Sequence, residues 1–201
     1  MFPRIVLVRH GETAWSLSGQ HTGRTDIPLT ERGEREALTL VTRLQGWNFA
    51  RVLTSPLQRA ARTSALAGFA AAATADPDLV EWGYGAYEGR RTADIRAERP
   101  DWELFRDGCP QGEPLEAVSA RADRCVARLR EPAGDVLVFA HRDILRIIAV
   151  RWLGLPVATA QRFLLSTAGV SVLGLDRGAD RPVIESWNDD RHIAGREVAN
   201  P

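Results

Sequence analysis

Two runs of uninterrupted apolar residues break the otherwise mixed pattern of the chain: Ile5-Val6-Leu7-Val8 and Val136-Leu137-Val138-Phe139-Ala140. Both are short and rich in branched residues, which predicts strands buried on both faces of a sheet, Arg4 to Val8 and Val136 to Ala140. Each ends abruptly at a histidine, His10 after Arg9 and His141 after Ala140. Between them the period changes. Thr30-Glu31-Arg32-Gly33-Glu34 opens a helical pattern with Thr30 as N-cap and with Leu38, Val41 and Leu44 near one face. Arg51 to Thr54 reads as a second short strand. Ser55-Pro56 then reads as a helix start, serine capping and proline in the first turn, with the helix running to about Gly68. The alanine-rich stretch that follows is ambiguous between helix and strand. Leu115 to Leu129 and Ile144 to Leu153 carry amphipathic helical patterns, and Val170 to Leu175 and Val183 to Trp187 read as later strands. Residues 11–29 read as a long loop.

Strands alternating with helices predict an α/β fold, a three-layer α/β/α sandwich with a mainly parallel central sheet. Residues 78–115 differ: Trp82, Tyr84, Tyr87, Trp102 and Phe105 sit among charges, glycines and prolines, which predicts a small helical or irregular cap-like insertion. The 201 residues are expected to form one domain. In a fold of this class ligands bind at the carboxyl ends of the strands, where both His10 and His141 fall.

Composition narrows the chemistry. The 26 basic residues are all arginine, so a Schiff-base lysine, a pyridoxal-phosphate lysine and a P-loop lysine are excluded. A formal net charge of zero supplies no global field for nucleic acid or an anionic membrane. Cys109 and Cys125 match no zinc or redox spacing, and Asp189, Asp190 and His192 match no standard metal site, so no metal and no cofactor is expected. The amino-terminal apolar run is too short for a secretory signal, and no run approaches membrane-spanning length; the expected location is the cytoplasm. The tryptophans at 47, 102, 152 and 187 read as core anchors.

What remains is local. Arg9 and His10 after the first strand, Arg59 and Arg62 in SPLQRAART, Glu81 in LVEWGYG, and His141 converge on one sheet edge. Guanidinium forks bind phosphate oxygens bidentately and keep their charge at any working pH, while a neutral imidazole nitrogen attacks phosphorus. Gly11 is expected to let the backbone turn closely enough for phosphate to approach. His21, in GQHTG, reads as a loop residue lining the entrance. Arg24, Arg90, Arg91 and Arg142 are candidates for a second phosphate or a carboxylate.

VRHGET, TGRTDIPLTERG, SPLQRAARTS, VEWGYGAYEG, GCPQGE and the second-histidine strand occur in an order that resembles the histidine phosphatase superfamily, also called phosphoglycerate mutase-like. The stretch WSLSGQHTGRTD resembles its phosphatase branch, which includes sedoheptulose-bisphosphatase-like and broad acid phosphatases. The resemblance implies His10 as the nucleophile that becomes phosphohistidine, Arg9 and Arg59 as the phosphate clamp, His141 beside them, and Glu81 as general acid and then base. It places Ser16, Thr22 and Gly23 where substrate oxygens are bound; Arg62, one helical turn from Arg59, either joins the pocket as a substrate contact or sits in an ion pair, and Arg142 either adds positive charge at the pocket rim or points into solvent. Arg142 replaces the glycine that many members carry after the second histidine, and Ser16 replaces a common asparagine. The implied activity is metal-independent hydrolysis of a small-molecule phosphate ester, a sugar phosphate or phosphoglycerate. The alternatives are a cofactor-dependent phosphoglycerate mutase, which the short span from Glu81 to His141 disfavours, and a non-catalytic phospho-ligand binder. Oligomeric state, including a homodimer, stays open.

Overall fold

In a computed structural model, residues 3–131, 134–176 and 180–193 are described. Six strands form one sheet among these residues: β1 (Ile5–Arg9), β2 (Arg51–Thr54), β3 (Ala73–Ala75), β4 (Val136–Ala140), β5 (Val170–Asp176) and β6 (Arg181–Asp189), in the order β3-β2-β4-β1-β5-β6. The β3-β2-β4-β1 run is parallel, and β5 and β6 close the other side antiparallel. The expected α/β architecture holds, with an antiparallel edge on a parallel sheet.

Helices α1 (Ala14–Ser18), α2 (Glu31–Arg43), α3 (Gln58–Ser64), α4 (Thr92–Glu98), α5 (Leu104–Asp107), α6 (Leu115–Leu129) and α7 (Arg142–Trp152) account for the rest of the regular structure, with short 3-10 and π turns. Strand alternation divides the core in two. Ile5, Leu7, Val136 and Val138 pack towards α6, α7 and the aromatics of the 79–105 stretch, whereas Val6, Val8, Leu137 and Phe139 pack towards Leu40 and Leu44. α7 buries nine of its eleven residues, Asp143 and Arg146 among them, so the position of its first turn is rigidly set.

The structure corrects several local expectations. The face of α2 turned inward is Gly33, Glu36, Ala37 and Leu40, continued by Leu44; Leu38 and Val41 are half exposed, because they lie roughly 100° around the helix from that stripe. The loop at 11–29 contains α1, whose Thr13 N-cap and Ser16 form a reciprocal capping box. α3 begins at Gln58 and Leu57 is its cap position. Ser55 instead continues the sheet, its N–H donating to the Phe139 carbonyl at 2.9 Å. The alanine-rich stretch ends in the edge strand β3. Of the four tryptophans expected as core anchors, Trp102 and Trp152 are buried; Trp47 and Trp187 are only half-buried and pack at the periphery on Phe49 and Phe163. Among the described residues, no helix is long and apolar enough to cross a membrane.

Candidate active site

Register places the two histidines together. Arg9 pairs with Ala140 across the parallel β1–β4 ladder, so the next residues, His10 and His141, leave the same edge side by side, ring centroids 5.2 Å apart. Thr54 pairs with Phe139 on the other side of β4, which brings Ser55 to the same edge. The three strands end in His10, His141 and Ser55, and α3 adds Arg59.

The hydrogen bonds fix both imidazoles. His10 Nδ1 lies 2.7 Å from the Gly11 carbonyl, which only accepts, so Nδ1 carries the proton and Nε2 keeps its lone pair. Arg59 Nε donates to His141 Nδ1 at 3.1 Å, which puts the His141 proton on Nε2, 2.7 Å from Ser55 Oγ. Both rings are held well below the ordinary imidazole range, first by burial and then by Arg9 and Arg59 for His10, and by Arg59 and His10 for His141. They are therefore neutral, and His10 Nε2 is a competent nucleophile even in mild acid.

Arg59 is fully buried. Its guanidinium donates to the carbonyls of Thr25 at 3.0 Å, Gly23 at 2.9 Å and Thr22 at 3.3 Å, so the 22–25 loop is wrapped around it. Thr22 and Gly23 thus meet the site through their backbone. Gly23 has no room for a side chain, since a Cβ would lie 2.5 Å from the Trp82 carbonyl. Arg9 donates to the Leu165 carbonyl at 2.7 Å, and its Nε has no partner; burial and then Arg142 bring its pKa down to about 10, still fully charged at neutral pH.

Glu81 is buried against the first turn of α7. Its Oε1 accepts from the N–H of Trp82 and of Ile144, both at 2.9 Å, and Oε2 accepts from the Asp143 N–H at 3.0 Å. Burial and the nearby Asp143 carboxylate raise its pKa, against the pull of those three donors. Asp143 behaves oppositely. Burial works against its charge, but Arg142 and Arg146 overcome it, at 3.1 and 3.2 Å, and hold Asp143 ionised. Of the two carboxyl groups Glu81 is the one whose proton affinity the surroundings raise.

Other expected positions fall elsewhere. Arg62 is exposed and pairs with Glu34 at 2.8 Å, so it turns away from the histidines. Ser16 Oγ is engaged with Thr13. Arg24 pairs with Glu113, Arg90 with Glu98 and Arg91 with Asp94. Asp189 pairs with Arg43 and Arg191. Gly11 is required for a different reason than expected: a Cβ there would lie 2.3 Å from the Gly33 carbonyl, where α2 crosses the loop. Ser55, Asp143 and Arg146 are the residues missed. Ser55 had a usable signal, since it ends a strand just as the two histidines do; Tyr84, one of the aromatics of the 78–115 stretch, donates its hydroxyl to Asp143.

An α/β sheet that delivers two neutral imidazoles, buried guanidinium groups and a carboxyl of raised pKa to one edge defines a phosphoryl-transfer enzyme. The model of the histidine phosphatase superfamily, branch 1, matches residues 5–190, and the chain belongs to that family. It is 40% identical over 180 residues to an acid phosphatase from Mycobacterium tuberculosis, covering 87% of this chain and 88% of that protein. It is 38% identical over 188 residues to sedoheptulose 1,7-bisphosphatase from Saccharomyces cerevisiae, covering 77% and 69%. The solved structure of a Mycobacterium tuberculosis open reading frame superposes with a TM-score of 0.85 at 37% identity, covering 92% of this chain and 97% of that one. The chain stands among the phosphatases as an enzyme of the histidine type.

Proposed function

We propose that the protein is a metal-independent phosphomonoesterase that hydrolyses small phosphorylated metabolites, sugar phosphates or phosphoglycerate-like esters, through phosphohistidine at His10. The observation that carries the reading is the pair of opposed carboxyl groups beside a neutral, oriented His10. A nucleophile with its lone pair on Nε2 and a buried carboxyl of raised pKa are the two groups that a two-step phosphoryl transfer needs. The names of the acid phosphatase and the bisphosphatase relatives support the substrate class.

In the first step His10 Nε2 attacks phosphorus, the P–N bond forms and the ester P–O bond breaks. The departing alkoxide takes the proton from Glu81. The guanidinium charges of Arg9 and Arg59 offset the charge on the equatorial oxygens, and His141, held between Arg59 and Ser55, fixes the position of Arg59. In the second step water attacks the phosphohistidine, Glu81 accepts its proton, the P–N bond breaks, and inorganic phosphate leaves. The test is a metal-free hydrolysis screen over a panel of metabolite phosphates with His10→Ala as control, together with trapping of labelled phosphate on residue 10. Isomerisation of 3-phosphoglycerate faster than hydrolysis of any ester would assign the site to mutase chemistry instead. No hydrolysis of any phosphomonoester, with or without added metals, would reduce the protein to a binder.

A further inference from the structure

Glu81 stands on a stretch of backbone that belongs to no helix or strand, residues 80–84, so the amide groups there need partners from elsewhere. One guanidinium supplies several of them. Arg121, buried on α6, donates from Nη1 to the Val80 carbonyl at 2.6 Å and to the Asp78 carbonyl at 2.8 Å, and from Nη2 to the Glu81 carbonyl at 3.1 Å. Its remaining reach goes to Glu113, through Nε to Oε1 at 2.7 Å and Nη2 to Oε2 at 2.9 Å, a bidentate pair. Glu113 ends the GCPQGE motif, to which the phosphoryl site itself gives no role.

Glu113 holds the chain on the other side of the acid. Its Oε2 accepts from the Gly83 N–H at 3.2 Å, and its own N–H donates to the Gly83 carbonyl at 2.8 Å. Its carbonyl accepts from Trp82 Nε1 at 2.7 Å. Burial works against the charge of Glu113, but Arg121 overcomes it and holds the carboxyl below the ordinary range, so the pair stays ionised. The Glu81 carboxyl, for its part, is fixed by the Asp143 and Ile144 N–H groups at the start of α7, and α6 packs against α7. The anchors of the acid's backbone and of its carboxyl thus belong to one pair of packed helices.

We infer that Arg121 and Glu113 are positioning residues for the general acid: their ion pair sets where Glu81 stands relative to the leaving-group oxygen, and it acts on the reaction only through Glu81. The inference rests on the assignment of Glu81 as acid above and adds the residues that aim it. A misplacement of about 1 Å is enough to cost about 10²-fold in rate, and no helix or strand holds residues 80–84 against it.

Two leaving groups test it. The alkoxide of glycerol 3-phosphate needs a proton to depart and the phenolate of p-nitrophenyl phosphate does not, while kcat/KM reports the step that expels each. In Arg121→Gln, kcat/KM is expected to fall about 10- to 100-fold for glycerol 3-phosphate but no more than about threefold for p-nitrophenyl phosphate, and Arg121→Lys should restore part of the loss. Added to Glu81→Gln, which already lacks the acid, Arg121→Gln should cost glycerol 3-phosphate no more than about threefold further. Should thermal melting show Arg121→Gln unfolded, Glu113→Gln answers the same question: it leaves the three carbonyl bonds of Arg121 in place, and its smaller fall should show the same selectivity. Unchanged kinetics, an equal fall for both esters, or a full additional loss on top of Glu81→Gln would overturn the positioning role; Glu81 would still stand as the acid if Glu81→Gln alone discriminates between the esters. No discrimination in Glu81→Gln itself would bring down the acid assignment and this inference together. Hydrolysis of neither ester by the wild type would bring down the phosphatase reading as well.

Discussion

The sheet edge and the cavity beside it solve opposite problems with the same residue types. At the edge, both ring nitrogens of His141 and nearly every donor of Arg59 are engaged within the protein, so the geometry around His10 is set before any substrate arrives. In the cavity, about 290 Å³ in volume with His21, Arg96, Trp102, Arg142 and Arg146 in its walls, Arg146 and His21 are as well buried but each keeps an unused nitrogen. Satisfied polar networks rigidify, whereas an unused buried donor or acceptor lowers stability. The difference teaches that an arginine's role is read from its leftover donors rather than from its presence in a pocket. Arg9 joins the two descriptions, anchored through Leu165 but with Nε unpartnered.

The sharpest way to break this comparison is at the nucleophile. His10→Ala should lower kcat by about 10³-fold or more towards every ester, because no other group supplies covalent catalysis. Far-UV circular dichroism should be unchanged, since His10 bonds only its neighbour Gly11 through its side chain. The low pKa of the ring adds a second expectation. His10 stays unprotonated below its ordinary value of 6.5, so the acid limb of the rate profile should lie below that value. An acid limb centred at or above 6.5 would show that the ring is not held neutral by burial and Arg9. The same depression means that stability present above pH 6.5 is lost as pH falls towards the folded-state value.

Arg59→Met follows in size. It removes the positive charge and leaves the Thr22, Gly23 and Thr25 carbonyls and His141 Nδ1 without their donor. A loss of stability of about 2–4 kcal/mol is expected from unsatisfied buried acceptors, together with a fall in kcat of about 10²-fold. Urea unfolding and steady-state kinetics read the two separately. Arg146→Gln provides the contrast, with a smaller stability loss because it removes one ion pair, that with Asp143.

How far the sequence was legible follows the same division. His10 and His141 were readable because uninterrupted aliphatic runs have one interpretation in an α/β protein, and the residue that ends each run lies at the carboxyl edge. Ser55 was misread because serine before proline is also a common helix start; only the pairing with Phe139 shows that the strand continues through it. Asp143 and Arg146, at i and i+3 on a helix, look like a solvated ion pair. Their burial depends on α7 being packed on nearly all sides, which no local pattern records. The inward face of α2 was misplaced because Leu38 and Val41 are as apolar as Leu40, and tertiary packing chose between two overlapping stripes.

Glu81→Gln tests the division of labour between the two carboxyl groups. With a poor leaving group such as an alkyl alcohol, kcat should fall about 10²–10³-fold, whereas with p-nitrophenyl phosphate, whose phenolate leaves unaided, the fall should be far smaller. In the wild-type enzyme the raised pKa of Glu81 keeps its proton at pH values where an ordinary glutamate is ionised. Activity on alkyl esters should therefore decline as pH rises through that raised value, and this alkaline limb should vanish in Glu81→Gln. A raised carboxyl also makes the folded state lose stability as pH rises past the ordinary glutamate value. An equal fall for both leaving groups would show that Glu81 is not the acid.

The smallest expected effect is the one that connects the two regions. Asp143 sits between them: its N–H donates to Glu81, its carboxylate raises the Glu81 pKa, and it pairs with Arg142 and Arg146 on the cavity side. Asp143→Asn keeps the backbone donor and much of the side-chain shape but removes the negative charge. Both consequences act on Glu81 in the same direction, since a like charge disappears and two guanidinium charges are left less neutralised. The alkaline limb on alkyl esters should therefore move to lower pH, while kcat at the optimum changes only a fewfold. A limb that stays in place would show that burial alone raises Glu81, and that the proton at the reacting edge is set independently of the arginines beside it.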